Sequence, residues 1–103
     1  MKKIEVREVE NCEQLVTIYE INDDIGWKKI DSFDPMNRYN SGVGAGYKGG
    51  GPHTLTDIIL YTFNEYNKDK DYDDKYDDIL EYVSKLPNVD NFTILEQDVK
   101  HLL

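Results

Sequence analysis

Lys48, His53 and Thr54 fall in SGVGAGYKGGGPHT, residues 41–54, a stretch that also holds six of the chain's seven glycines. Glycine tolerates positive φ and close backbone approach, so successive N–H groups can converge into an anion-binding nest. A helix entered directly from such a loop adds unpaired N–H groups and a positive dipole end, which outlines a phosphate or carboxylate site. In that reading Gly49, Gly50 and Gly51 supply backbone donors and Lys48 supplies charge. Tyr47 offers a stacking face and a hydroxyl, and His53 and Thr54 add hydrogen bonds. Arg38 is a further candidate, and Tyr39 and Trp27 could line the same pocket, with packing the plainer role for each. The plain alternative for the loop is a tight connection, because glycine is ordinary turn chemistry.

Charge distribution favours the same stretch. The chain has 103 residues and a net charge of −9, which argues against nonspecific nucleic-acid binding, since that is driven by Lys and Arg neutralising phosphates. Residues 1–33 carry five basic and eight acidic side chains, and residues 55–103 carry five and twelve. Residues 34–54 hold Arg38 and Lys48 against Asp34 alone. The glycine loop is therefore in the net-positive part of an acidic protein.

Known motifs fit less well. Gly44, Gly46 and Gly49 satisfy G-x-G-x-x-G, with Asp69 near the distance of a ribose-binding acid. No buried apolar strand precedes them, and the chain is too short for a doubly wound sheet. A P-loop is excluded because no Gly-Lys-Ser/Thr follows. Asp69, Asp71 and Asp73 imitate the start of a calcium loop, but Asp74 stands where glycine is needed and Leu80 where glutamate is needed. His53 is a candidate general base, yet no partnered Ser, Cys or carboxylate is legible beside it. No cofactor motif or metal knuckle is legible, and Cys12, the single cysteine, rules out an internal disulfide and suits a reducing cytosol. MKKIEVREVE has no apolar core of a signal peptide, and no segment is long enough to span a bilayer as a helix.

One domain with a modest core must position these residues. Ile4, Val6 and Val9 alternate with charges, and Val16, Ile18 and Glu20 alternate with Leu15, Thr17, Tyr19 and Ile21, so both segments read as strands joined by a turn at NCEQ. A third strand follows DDIG, using Trp27 and Ile30. Residues 31–40 are polar, contain Pro35 and read as a loop. In TLTDIILYTFNEY, Leu55, Ile58, Ile59, Thr62, Phe63 and Tyr66 share a helical face, with Thr54 and Asp57 as a capping box or Pro52 as the first helical residue. A second helix over residues 72–86 buries Tyr76, Ile79, Leu80, Val83 and Leu86 and stops at Pro87. FTIL reads as a strand and EQDVKHLL as a short terminal helix. The order predicts an α+β domain: a small antiparallel sheet from the N-terminal strands, the glycine loop, two amphipathic helices, and a C-terminal strand and helix.

GYKGGGP, residues 46–52, resembles the Gly-Tyr-x-Gly-x-Gly-Pro signature of a family of small domains of unknown function, found in phages, plasmids and other bacterial and archaeal accessory genes. The resemblance extends to Leu55, Ile59 and Leu60, to Tyr76, Ile79, Val83, Leu86 and Pro87, and to Phe92, Thr93, Ile94, Asp98 and Val99. It covers about the last three fifths of the chain. Val43 and Ala45 depart from it, standing where the family commonly has aromatic residues. The resemblance implies the same element order and a mobile-element origin, and it carries no activity with it.

The resulting expectation is a cytoplasmic, phage-encoded anti-defence protein. It would sequester an anionic nucleotide-like ligand on residues 47–54, without a cofactor and without direct contact to nucleic acid or membrane. A rival reading makes it an acidic inhibitor, a candidate nucleic-acid mimic, that binds a host defence enzyme through Asp73, Asp74, Asp77 and Asp78. A third makes it a phosphodiesterase-like enzyme using His53. A thin core suits a homo-oligomer.

Overall fold

A computed structural model describes residues 1–10, 13–64 and 75–103. Asn11 and Cys12 of the first turn, Tyr66, the acidic residues at 69–74 and the expected helix start at Tyr72 lie outside the described residues. The alternating segments form strands β1 (Lys2–Glu8) and β2 (Gln14–Asn22), followed by β3 (Gly26–Phe33) and, near the C-terminus, β4 (Phe92–Leu95). They make one four-stranded sheet in the order β3-β2-β1-β4, each neighbour antiparallel. Ile4 faces Ile18 on one side and Ile94 on the other, and Val6 faces Val16. All five are buried, and this one-sided burial holds the register, because a one-residue slip would turn the whole set to solvent. Val9 lies beyond β1 and is exposed, so the alternation ends at Val6.

The third strand departs from expectation. Ile18 faces Asp31 and Tyr19 faces Lys29, which leaves Ile30 unopposed in a β-bulge. Trp27 and Ile30 are largely exposed, and the buried anchor of β3 is Phe33. The expected loop over residues 31–40 is instead the end of β3 followed by α1 (Pro35–Tyr39). Asp34 caps α1 by accepting from the Met36 N–H at 2.9 Å, Pro35 opens it, and Asn40 closes it in the left-handed region at φ 55°.

Helix α2 (Gly50–Asn64) begins four residues before Thr54. Thr54 is therefore not its cap: the hydroxyl donates to the Gly50 carbonyl at 3.1 Å, as Thr56 does to Pro52 at 2.8 Å. Pro52 is the third helical residue rather than the first, still within the turn where an N–H has no helical acceptor. Burial extends past the expected stripe to Thr54, Thr56 and Leu60, because α2 packs against both α3 (Tyr76–Ser84) and β1. On α3 only Ile79 and Val83 are fully buried, while Tyr76 and Leu80 are half-buried; the helix ends at Ser84, so the half-buried Leu86 lies beyond it. The chain ends in α4 (Glu96–Val99), with Val99 buried, and a 3-10 turn, Lys100–Leu102. The result is the expected α+β domain, its core lying between the inner sheet face and α2 and α3. Among the described residues no helix is long and apolar enough to cross a membrane.

Candidate functional site

The glycine loop is anchored at both ends by specific contacts. Val43 and Ala45, which stand where aromatic residues are common in the family that GYKGGGP resembles, are buried in the core. Gln14 of β2 clamps Val43 with two bonds, its Nε2 donating to the Val43 carbonyl at 2.8 Å and its Oε1 accepting from the Val43 N–H at 2.7 Å. Gly46 adopts φ 81° and donates its N–H to the Val83 carbonyl at 3.0 Å. A Cβ there would lie 2.5 Å from the Leu86 carbonyl oxygen and 2.6 Å from the Asn88 nitrogen. The loop is thus fixed to the C-terminal end of α3.

The density of glycine is explained largely by Tyr47. Its ring lies against Gly44, Gly49 and Gly51, and a Cβ on Gly44 or Gly51 would collide with its hydroxyl. Gly46 is the one loop glycine with positive φ, and Gly44, Gly49 and Gly51 serve close approach to Tyr47 rather than a nest of alternating backbone conformations. Tyr47 remains 43% exposed, with its glycine-facing side taken up by the protein itself.

Beside this slot, at the start of α2, a cavity of about 280 Å³ opens between α2 and α3. Lys48, Gly49 and His53 line one wall, and Asp77, Leu80, Glu81 and Ser84 of α3 line the other. The expected site residues Lys48, Gly49 and His53 therefore come together, with Tyr47, Gly50 and Gly51 adjacent in sequence. The α3 wall was missed, although its spacing of i, i+3, i+4 and i+7 is that of a single helical face. His53 Nδ1 and the Tyr76 hydroxyl share a 2.8 Å hydrogen bond, which orients the imidazole. Glu81 is held below the usual carboxylate range, chiefly by its hydrogen bond to Lys85 at 2.8 Å, with a contribution from the charge of Lys48. Lys48 makes no ion pair among the described residues. The cavity is consequently bipolar, with a cation and a helix N-terminus facing the Asp77 carboxylate and the Glu81–Lys85 ion pair.

Two expected site residues lie elsewhere. Thr54 is buried, its hydroxyl spent on the helix backbone. Arg38 does not line this cavity: it bonds Asp31 at 2.8 Å and stacks 3.9 Å from the centre of the Phe33 ring. That bond is the main cause holding the Asp31 carboxyl below its ordinary range, and burial opposes it. A depressed acid contributes stability above its unfolded value, and that contribution is lost as pH falls through the folded value. Both groups are more than a third exposed, so Arg38→Ala is expected to cost only about 0.5–1 kcal/mol near neutrality. Urea melts between about pH 7 and about pH 2 should show this gap narrowing in acid. A gap that stays constant would mean that Arg38 acts by stacking on Phe33 alone.

Among the described residues no group of His, Cys, Asp and Glu is arranged to hold a metal ion. No family model matches the chain, and no curated protein or solved structure matches it.

Proposed function

We propose that the protein is a small binding protein whose α2–α3 cavity takes an anionic, nucleotide-like molecule. The observation that carries this reading is the bipolar lining. Lys48 and the start of α2 suit a phosphate, and Asp77 and Glu81 across the cavity suit the hydroxyl or amino donors of a sugar or base. At about 280 Å³ the cavity lies at the small end of ligand sites, which fits one mononucleotide-sized group rather than a dinucleotide. His53 is oriented by Tyr76 and has no carboxylate bonded to it among the described residues, which favours capture over turnover. Together with the resemblance of GYKGGGP to a mobile-element family, the reading is of a phage-encoded anti-defence protein that sequesters a nucleotide signal in the host cytoplasm.

The test is a thermal-shift screen of linear, cyclic and ADP-ribose-type nucleotides, followed by calorimetry and recovery of the ligand. A ligand that binds the folded state raises the melting temperature by mass action. Lys48→Ala should weaken binding about ten- to hundredfold, the effect of one charged hydrogen bond. A panel with no saturable binding sinks the proposal.

A second reading rests on Asp77 and Asp78, both exposed in the first turn of α3. This acidic end suits a basic partner protein. Salt-sensitive association weakened by Asp77→Asn and Asp78→Asn, and indifferent to Lys48→Ala, would favour that inhibitor role.

A further inference from the structure

The geometry points to a second binding site, in the cavity between β3 and the C-terminal half of α2, for a small amphipathic carboxylate. This cavity of about 380 Å³ is lined by Lys2, Ile18, Ile30, Asp31, Tyr61 and Thr62, and shares no lining residue with the α2–α3 cavity. Its size falls within the range of small-molecule sites, and its make-up of apolar walls with a few convergent polar groups is characteristic of them. Ile18 and Ile30 form the apolar wall. The bulge that leaves Ile30 unopposed in the ladder accompanies its exposure at this position.

Two observations on the polar groups set the ligand's charge. Asp31 is already neutralised by Arg38 at 2.8 Å. Lys2 makes no ion pair among the described residues, and its Nζ makes one long hydrogen bond, 3.4 Å, to the Thr62 carbonyl. One carboxylate can accept from the Lys2 ammonium while its apolar body lies along Ile18 and Ile30, beside the Tyr61 ring.

The probe is 3-phenylpropionate, titrated into the full chain and followed by amide chemical shifts, with 3-phenylpropanol as the uncharged counterpart. The expected result is saturable shifts at Ile18, Ile30, Asp31, Tyr61 and Thr62, with the alcohol binding at least about fivefold more weakly. Lys2→Met should lower the affinity for the acid to that of the alcohol, and Lys48→Ala should leave it unchanged. Absence of saturable shifts, equal binding of acid and alcohol, or indifference to Lys2→Met overturns the proposal. Should Lys2→Met fail to fold, the comparison of acid with alcohol decides, with Ile30→Ala, at an exposed position, as the variant that weakens both.

Discussion

Replacing Gly46 with alanine is expected to destabilise the protein by about 3 kcal/mol, whereas the same change at Gly26 should cost about 1 kcal/mol. Both glycines have positive φ, 81° and 75°, so the strain of forcing a side chain to positive φ is common to both. They differ in surroundings. A Cβ on Gly26 meets nothing within 4 Å, while one on Gly46 presses on the backbone at Leu86 and Asn88. Backbone cannot swing aside as a side chain can, so the connection after α3 must move, and the 3.0 Å bond from Gly46 to Val83 is disturbed with it. For a domain of this size about 3 kcal/mol lowers the melting temperature by about 15 °C. Urea or thermal melts of the two variants measure the difference directly. Equal losses at Gly46 and Gly26 would show that conformational strain acts alone and that the loop does not depend on its seat against α3.

That seat explains what the sequence revealed and what it concealed. β1 and β2 were legible because Ile4 and Val6, and Val16 and Ile18, recur with period two and are buried on one face. Helix α1 was missed despite its local signals, Asp34 and Pro35 at the start and Asn40 at the end, because five residues are too few to display a helical period. The start of α2 was placed late, just after a Thr54 cap or at Pro52, because Gly50, Gly51 and Pro52 have poor intrinsic helix preference. Packing against α3 and β1 overrides that preference. Of the candidate site, Lys48, Gly49 and His53 were legible from composition and charge. The insertion of Tyr47 between Gly44 and Gly51 was not, because it is a contact between side chain and backbone with no periodic signature. The α3 wall was legible in principle, since Asp77 and Glu81 lie four residues apart on one helical face, but helical spacing alone does not show which loop that face meets.

The same wall provides the second large effect. Ile79→Ala should cost about 3–4 kcal/mol, the loss for a large aliphatic side chain removed from a fully buried position. Helix α3 has nine residues, too few to be stable alone, and Ile79 and Val83 are its two buried anchors against the core. Losing one leaves a void that neighbouring Leu55, Ile58, Ile59 and Val83 cannot fill without shifting. Leu80 is the informative contrast, one residue along the same helix, half-buried and facing the α2–α3 cavity. Leu80→Ala should cost only about 1 kcal/mol, yet remove apolar wall from the proposed ligand site. Stability and affinity should therefore separate, with Ile79→Ala dominating the urea midpoint and Leu80→Ala weakening the proposed nucleotide binding in a protein that is still fully folded. Calorimetry on Leu80→Ala under folding conditions distinguishes the outcomes. Affinity unchanged by Leu80→Ala would place the ligand away from α3, and with it would go the assignment of Asp77 and Glu81 as the wall that reads the ligand's polar donors.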